Sequence, residues 1–167
     1  MSPEYFSRDA DGKVQCDMDA AAVEFTLALM AELRDLLDNP DLAGPEVAWR
    51  LAPAAHPDDL EAEASYRALV ADQLDRERHS ALDTVVSMLR ENAAADGRVL
   101  VSLDSDDMAS WMQSLNHLRL ALGTLLNVAE DEDLSISEED PGYASAIAYD
   151  FLAHLLTNLV DASDSFS

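Results

Sequence analysis

Asp150, His154, Asn158 and Asp161 follow one another at spacings of four, four and three, so on a helix they share one face. A carboxylate one turn before an imidazole is the start of an acid/base pair or of a metal site. No HExxH pattern and no neighbouring cysteine joins them, and a polar stripe is also the ordinary way to solvate the outer side of a helix. A second set is cationic. Arg50, Arg67 and Arg119 each sit inside or beside an apolar pattern in a chain with few bases. A buried guanidinium must find carboxylates or carbonyls or cost several kcal/mol. The preferred reading is internal clamps between helices; the alternative is a convergent pocket for an anion or a peptide carboxylate.

The carboxylate runs Glu130–Asp133 and Glu138–Asp140 supply hard oxygen ligands. A calcium loop opening at Asp131 would need glycine at Ile136 and an acid at Gly142, so a solvated acidic loop is the better reading. Asp9-x-Asp11-Gly12 lacks the closing glutamate and reads as a hairpin turn. His56, His79 and His117 stand in unrelated contexts, and there is no glycine-rich phosphate loop, GxSxG elbow or CxxC pair. We therefore expect no catalytic residues, no metal and no cofactor, with Arg50, Arg67, Arg119, Asp150 and His154 as candidate ligand or partner contacts.

Charge narrows the partners. The chain has 34 acids against 10 bases, a formal net charge of −24, and all bases but Lys13 are arginine. Residues 17–46 carry eight acids and one base, and residues 128–167 ten acids and none. Such a surface repels nucleic acid phosphates and anionic membranes, so neither is expected as a direct partner. It suits solubility, and it suits a basic protein partner steered over distance. The single Cys16 cannot form an internal disulfide. The opening MSPEYFSRDADG has no basic-then-apolar leader pattern, and no stretch reaches the roughly 20 apolar residues of a membrane span. A cytoplasmic location is the expectation.

The elements that must position these groups follow from periodicity. Residues 1–16 read as a β-hairpin around Asp9–Gly12, and RVLVSL, residues 98–103, as a short strand able to pair with it. Residues 19–38 form an amphipathic helix, with Val23, Leu29, Met30, Leu33, Leu36 and Leu37 on one arc and Asn39-Pro40 as its stop. Residues 39–57 hold four of six prolines and read as a connector with a helical turn near Glu46–Leu51. A long helix spans 57–91, with Pro57 in its first turn and a seam through Tyr66, Val70, Leu74, Ala81, Val85 and Leu89. Unbroken, it would run about 50 Å and project beyond a small bundle; the alternative is a break at Arg76–His79, where charges crowd the seam. In a helix over 106–127, Trp111, Leu115, Leu118, Leu122, Leu125 and Leu126 share an arc opposite Gln113, His117 and Thr124, with Asp104, Ser105 or Asp106 as cap and Asn127 as stop. Arg119 and Gly123 border that arc, Gly123 where another backbone could approach. The helix 143–162 is apolar over more than half its circumference, which makes it the central helix of a bundle or, less favoured, a subunit interface.

The run W-x-x-x-L-N-x-L-R-L-x-L-G-T from Trp111 to Thr124, with Arg50-Leu51-x-Pro53 and Tyr66-Arg67 upstream, resembles the actinobacterial domain-of-unknown-function family 2017. The resemblance covers Phe6 to about Val160. Relatives commonly carry an acid at the position of His117, arginine at Leu125 and glycine at Asn127, so any role for the first two positions does not transfer. The resemblance implies a gene near the peptide-binding adaptor of the Clp protease and a label as candidate transcriptional regulator. It brings no catalytic residues.

The expectation is thus a single domain over 1–167: mainly α, a helical bundle of four to five helices with a small β-hairpin or three-stranded ribbon. The expected role is a non-enzymatic, acidic protein-interaction or regulatory module, with a protein partner or a second copy as its target. The alternative is a small enzyme or an anion- or metal-sensing domain built on Arg50, Arg67, Arg119 or on Asp150 with His154.

Overall fold

In the computed structural model, which describes residues 2–51, 53–125, 139 and 142–164, the chain is mainly α with a three-stranded ribbon. Strands β1 (Phe6–Arg8) and β2 (Val14–Met18) form the expected hairpin, and β3 (Val99–Leu103) adds to β2, all antiparallel in the order β1-β2-β3. Phe6 pairs with Cys16, and Cys16 with Val101. The turn is made by Asp9, whose carboxylate accepts from the Asp11 and Lys13 amides at 2.9 Å each, while Gly12 takes φ +81°. Those hydrogen bonds, the Lys13 amide foremost, hold the Asp9 carboxyl below its usual range. Alternation in β2 sends Val14, Cys16 and Met18 inward.

Five α-helices lie among the described residues: α1 (Ala20–Asp38), α2 (Pro45–Leu51), α3 (Leu60–Glu91), α4 (Ser105–Leu125) and α5 (Tyr143–Ser163), with a 3₁₀ turn at Pro40–Ala43. Asp19 caps α1 by accepting from the Ala22 amide. Pro57, expected in the first turn of the long helix, lies before it. Asp59 is the cap, accepting from the Ala62 amide, because an aspartate can satisfy an open helix donor that proline only avoids needing. At α4 the choice among three caps falls on Asp104, which exchanges backbone-to-carboxylate hydrogen bonds with Asp107 at 2.8 and 3.0 Å.

The expected break at Arg76–His79 does not occur, and α3 runs 32 residues, about 48 Å at 1.5 Å per residue. The charges that crowd its seam reach neighbours instead. Arg78 donates to the Leu51 carbonyl at 2.6 Å, and His79 bridges the Asp75 carbonyl and the Asp38 carboxylate at 2.8 Å each. Only the second half of α3 enters the core, beginning with Ala81 and Leu82.

The core is one cluster, in which Phe6 and Trp111 meet edge to face at 5.2 Å and Leu33, Leu89, Leu115, Leu152 and Leu155 are fully buried. The Trp111 indole N–H lies 3.3 Å from the Met88 sulfur. A satellite of Val47, Leu51 and Ala121 seats α2 on α4. The central helix is α4, which touches α1, α2, α3, α5 and β3, rather than α5 as the width of its apolar arc suggested. The breadth of α5 is covered by α4, by β1, and by Tyr5 and Phe25, which pack on Phe151. Among the described residues, no helix is long and apolar enough to cross a membrane.

Candidate functional site

The α5 stripe is taken up by the start of the chain. Asn158 Oδ1 accepts from the Tyr5 and Phe6 amides at 2.6 and 2.8 Å, and His154 Nε2 lies 2.5 Å from the Pro3 carbonyl, with Tyr5 edge-on to its ring at 5.9 Å. Arg8 adds a hydrogen bond to the Ser163 carbonyl at 2.9 Å. The stripe thus straps the N-terminal segment to α5, a use that sequence reasoning missed at Asn158. Among the described residues nothing joins the exposed Asp150 to His154, and no group of three or more His, Cys, Asp or Glu is placed to hold a metal. Of the acidic segment 129–140 only Glu139 is described; Leu126 and the expected Asn127 stop also lie outside the described residues.

The three arginines do not converge. Arg50 is exposed in the last turn of α2, where a cation complements the carbonyl end of the helix. Arg67 lies on the face of α3 and pairs with Glu63 one turn earlier at 2.8 Å, a carboxylate that also accepts from the His56 amide. Those two donors hold the Glu63 carboxyl low, the His56 amide contributing most.

Arg119 stands apart, in a groove of about 640 Å³ between α4 and α5. Gly123 near the end of α4 faces Tyr149 near the start of α5, and the end of α5 returns to β1, so the two helices run antiparallel. What approaches Gly123 is therefore an aromatic ring rather than a backbone; a Cβ there would stand 3.2 Å from Tyr149 Cε2. Met112, Ala153, Leu156 and Val160 give the groove an apolar floor, and Gln113, Asn116, Thr157 and Asp161 give it polar edges. Arg119 is half-buried. One terminal nitrogen reaches Asn116 Oδ1 at 3.3 Å, while its Nε is buried with no hydrogen-bond partner among the described residues. Among the described residues no carboxylate pairs with it, although in this register Asp161 lies about two turns along α5 from the level of Arg119. A buried, charged N–H left unsatisfied costs on the order of 1–3 kcal/mol, and an incoming carboxylate would remove that cost.

His117, expected on the solvent face, is half-buried at the edge of the same groove. Burial, then the nearby Arg78 charge, push its pKa down to about 4, so it is neutral at physiological pH. A second concavity of about 680 Å³, between α3 and β3, is polar and largely compensated: its His79 is held by Asp38 and Asp75, and its Asp83 by Arg34.

Fold and groove together define a small, mainly α domain with a ribbon strapped to its last helix and, among the described residues, an arginine without a carboxylate partner between α4 and α5. The chain belongs to the domain-of-unknown-function family DUF2017, whose family model matches residues 1–163. Neither a curated protein nor a solved structure matches it.

Proposed function

We propose that the protein is a non-enzymatic interaction or regulatory module that seats a carboxylate-bearing segment of a partner protein in the groove between α4 and α5. The observation that carries this is the buried Arg119 Nε, without a partner among the described residues, above the apolar side chains of Met112, Ala153, Leu156 and Val160. The net charge of −24 adds a condition: residues flanking that carboxylate must be neutral or basic, because an acidic partner would be repelled before it docked. The candidates outside the groove have local roles that need no ligand, since Arg67 is paired on α3 and His154 holds the Pro3 carbonyl.

Replacing the guanidinium without changing the groove's bulk tests the reading. Arg119→Met should melt at the wild-type temperature or above, because no internal ion pair is lost and an unsatisfied donor is removed. In pull-downs from the native cell extract at low and high salt, wild type should retain a protein that Arg119→Met does not. A marked loss of thermal stability in Arg119→Met, or recovery of the same partners by both proteins, would overturn the proposal.

A further inference from the structure

The ribbon has two outer edges, and register decides which backbone groups face out of them. The Asp17 amide donates to the Tyr5 carbonyl at 2.8 Å, so the odd-numbered residues of β2 turn their polar groups to β1, and Cys16 turns its own to Val101. Phe6 therefore faces outward on β1, where Asn158 accepts from its amide at 2.8 Å and α5 closes the edge. On the opposite edge the outward residues are Arg98, Leu100 and Ser102. The Ala94 amide donates to the Arg98 carbonyl at 2.8 Å, and Ala93 bridges Val99, which closes the start of β3. Beyond that point, among the described residues, nothing is hydrogen-bonded to the outward amide and carbonyl of Ser102.

The open stretch borders the concavity of about 680 Å³ beside α3. Successive strand residues point to opposite faces, yet Val101 and Ser102 both line it, so the concavity lies at the edge of the sheet and not on a face. Free edges are commonly blunted by proline, lysine or a bulge, and Leu100–Leu103 has none of these. The compensating ion pairs of the concavity gather at its far end, around His79 and Asp83. At the β3 end it is lined by Glu91 and Asp107. No base answers them there: Arg76 lies about 22 Å back along α3, Arg98 is bound to Asp17 at 2.6 Å, and Arg90 does not line the concavity.

We propose that the free edge of β3 is a strand-addition site for an extended segment of a basic partner protein, paired antiparallel and alternating basic with apolar side chains. An outward backbone amide and carbonyl fit a strand about 4.8 Å away. Val99 and Leu103 mark the core side of β3, and the added strand's side chains on that side face α3, Glu91 and Asp107. Those on the other side lie beside Leu100, which is 57% exposed. A second copy of this chain would instead bring the same two carboxylates and another −24 body to the edge. The site shares no lining residue with the groove at Arg119, so either proposal can fail without the other.

The probe is the peptide acetyl-Lys-Val-Lys-Val-Lys-amide, with its glutamate counterpart as control, titrated into the full chain at about 0.15 M salt and followed by NMR. Wild type should bind the lysine peptide and not the glutamate one, and binding should slow hydrogen exchange at the Ser102 amide. A chain of net charge −24 attracts any cationic peptide, so the deciding variant leaves charge alone. Ser102→Pro removes an N–H that points away from β2, where an edge strand tolerates proline. It should unfold at nearly the wild-type temperature and bind the peptide at least about tenfold more weakly. N-methylation of both valines, whose amides face β3 in antiparallel pairing, should cost wild-type binding as much, whether or not Ser102→Pro folds. Glu91→Gln, at an exposed position, should weaken binding about threefold. A Ser102 amide that exchanges equally fast with and without peptide, equal affinity for the glutamate peptide, or binding that survives N-methylation of the valines would overturn the proposal. So would protection of Ser102 that grows with protein concentration alone, the mark of a second copy on the edge.

Discussion

His117 and His79 show how two half-buried imidazoles in one small domain take opposite signs. His79 donates from Nδ1 to the Asp75 carbonyl and from Nε2 to the Asp38 carboxylate, the first contributing most, and both raise its pKa. Its contribution is present below the ordinary histidine range and is lost as pH rises through the raised value. His117 is buried beside Arg78 and titrates only near about 4. As pH falls below about 6.5 the unfolded chain takes up a proton that the folded chain refuses, so stability is lost down to about pH 4 and then levels off. The shift would be worth about 3 kcal/mol for a fully enclosed group, and about 1–2 kcal/mol once solvent access is allowed for. His117→Gln should therefore gain about that much on wild type between pH 7 and pH 4.5, read as the difference in urea midpoints. A difference that does not change with pH would refute this account of His117. Residue type and spacing singled out Arg119, and the structure leaves its Nε unsatisfied. They could not show that His154 and Asn158 face the N-terminal segment, because that contact spans some 150 positions and leaves no local pattern.

Turns and caps were the most legible elements, because their signals are local. Asp9 to Gly12 announced the hairpin and Asp104 was among three candidate caps of α4, whereas the sequence reads as if α3 starts at Pro57, with its cap, Asp59, as a residue of the first turn. Less legible was which helix is central, since periodicity reports how wide an apolar arc is and not which neighbour covers it. α5 has the wider arc, yet α4 has the neighbours. The turn before β3 shows a further constraint of this kind. Gly97 has φ +86°, and a Cβ there would stand 2.9 Å from the Ala20 Cβ at the start of α1, so the turn rests directly on that helix. Gly12 in the hairpin has a similar φ of +81° but open space around it. Alanine at Gly12 should cost only the backbone strain, about 1 kcal/mol, and alanine at Gly97 should cost about 2–3 kcal/mol because Ala20 must also move. Denaturant unfolding of the two variants separates packing from conformation. Equal losses would mean that the contact with Ala20 carries no weight.

At the scale of the whole molecule, a single core is held together against the mutual repulsion of a −24 surface. The composition made that tension legible before any element was placed. What it could not show was where a reporter of it would sit. Cys16, on the middle strand of the ribbon, is fully buried, and desolvation, with the Asp17 charge behind it, pushes its thiol up to about 12. It is therefore unreactive in the folded protein and becomes an ordinary thiol only when the ribbon leaves α1 and α4. Because Cys16 lies in the same cluster as Met30, Leu89 and Trp111, that opening should approach global unfolding rather than local fraying. Labelling by a disulfide reagent at about pH 8 should be slow against a free thiol and should accelerate with urea. It should also slow as salt rises from about 0.02 M to about 0.5 M, since screening relieves repulsion that the compact state feels more than the open one. Labelling as fast as a free thiol would refute the burial. Labelling that quickens with salt would show that attractive pairs such as Arg98 with Asp17, rather than net repulsion, dominate the electrostatics of opening.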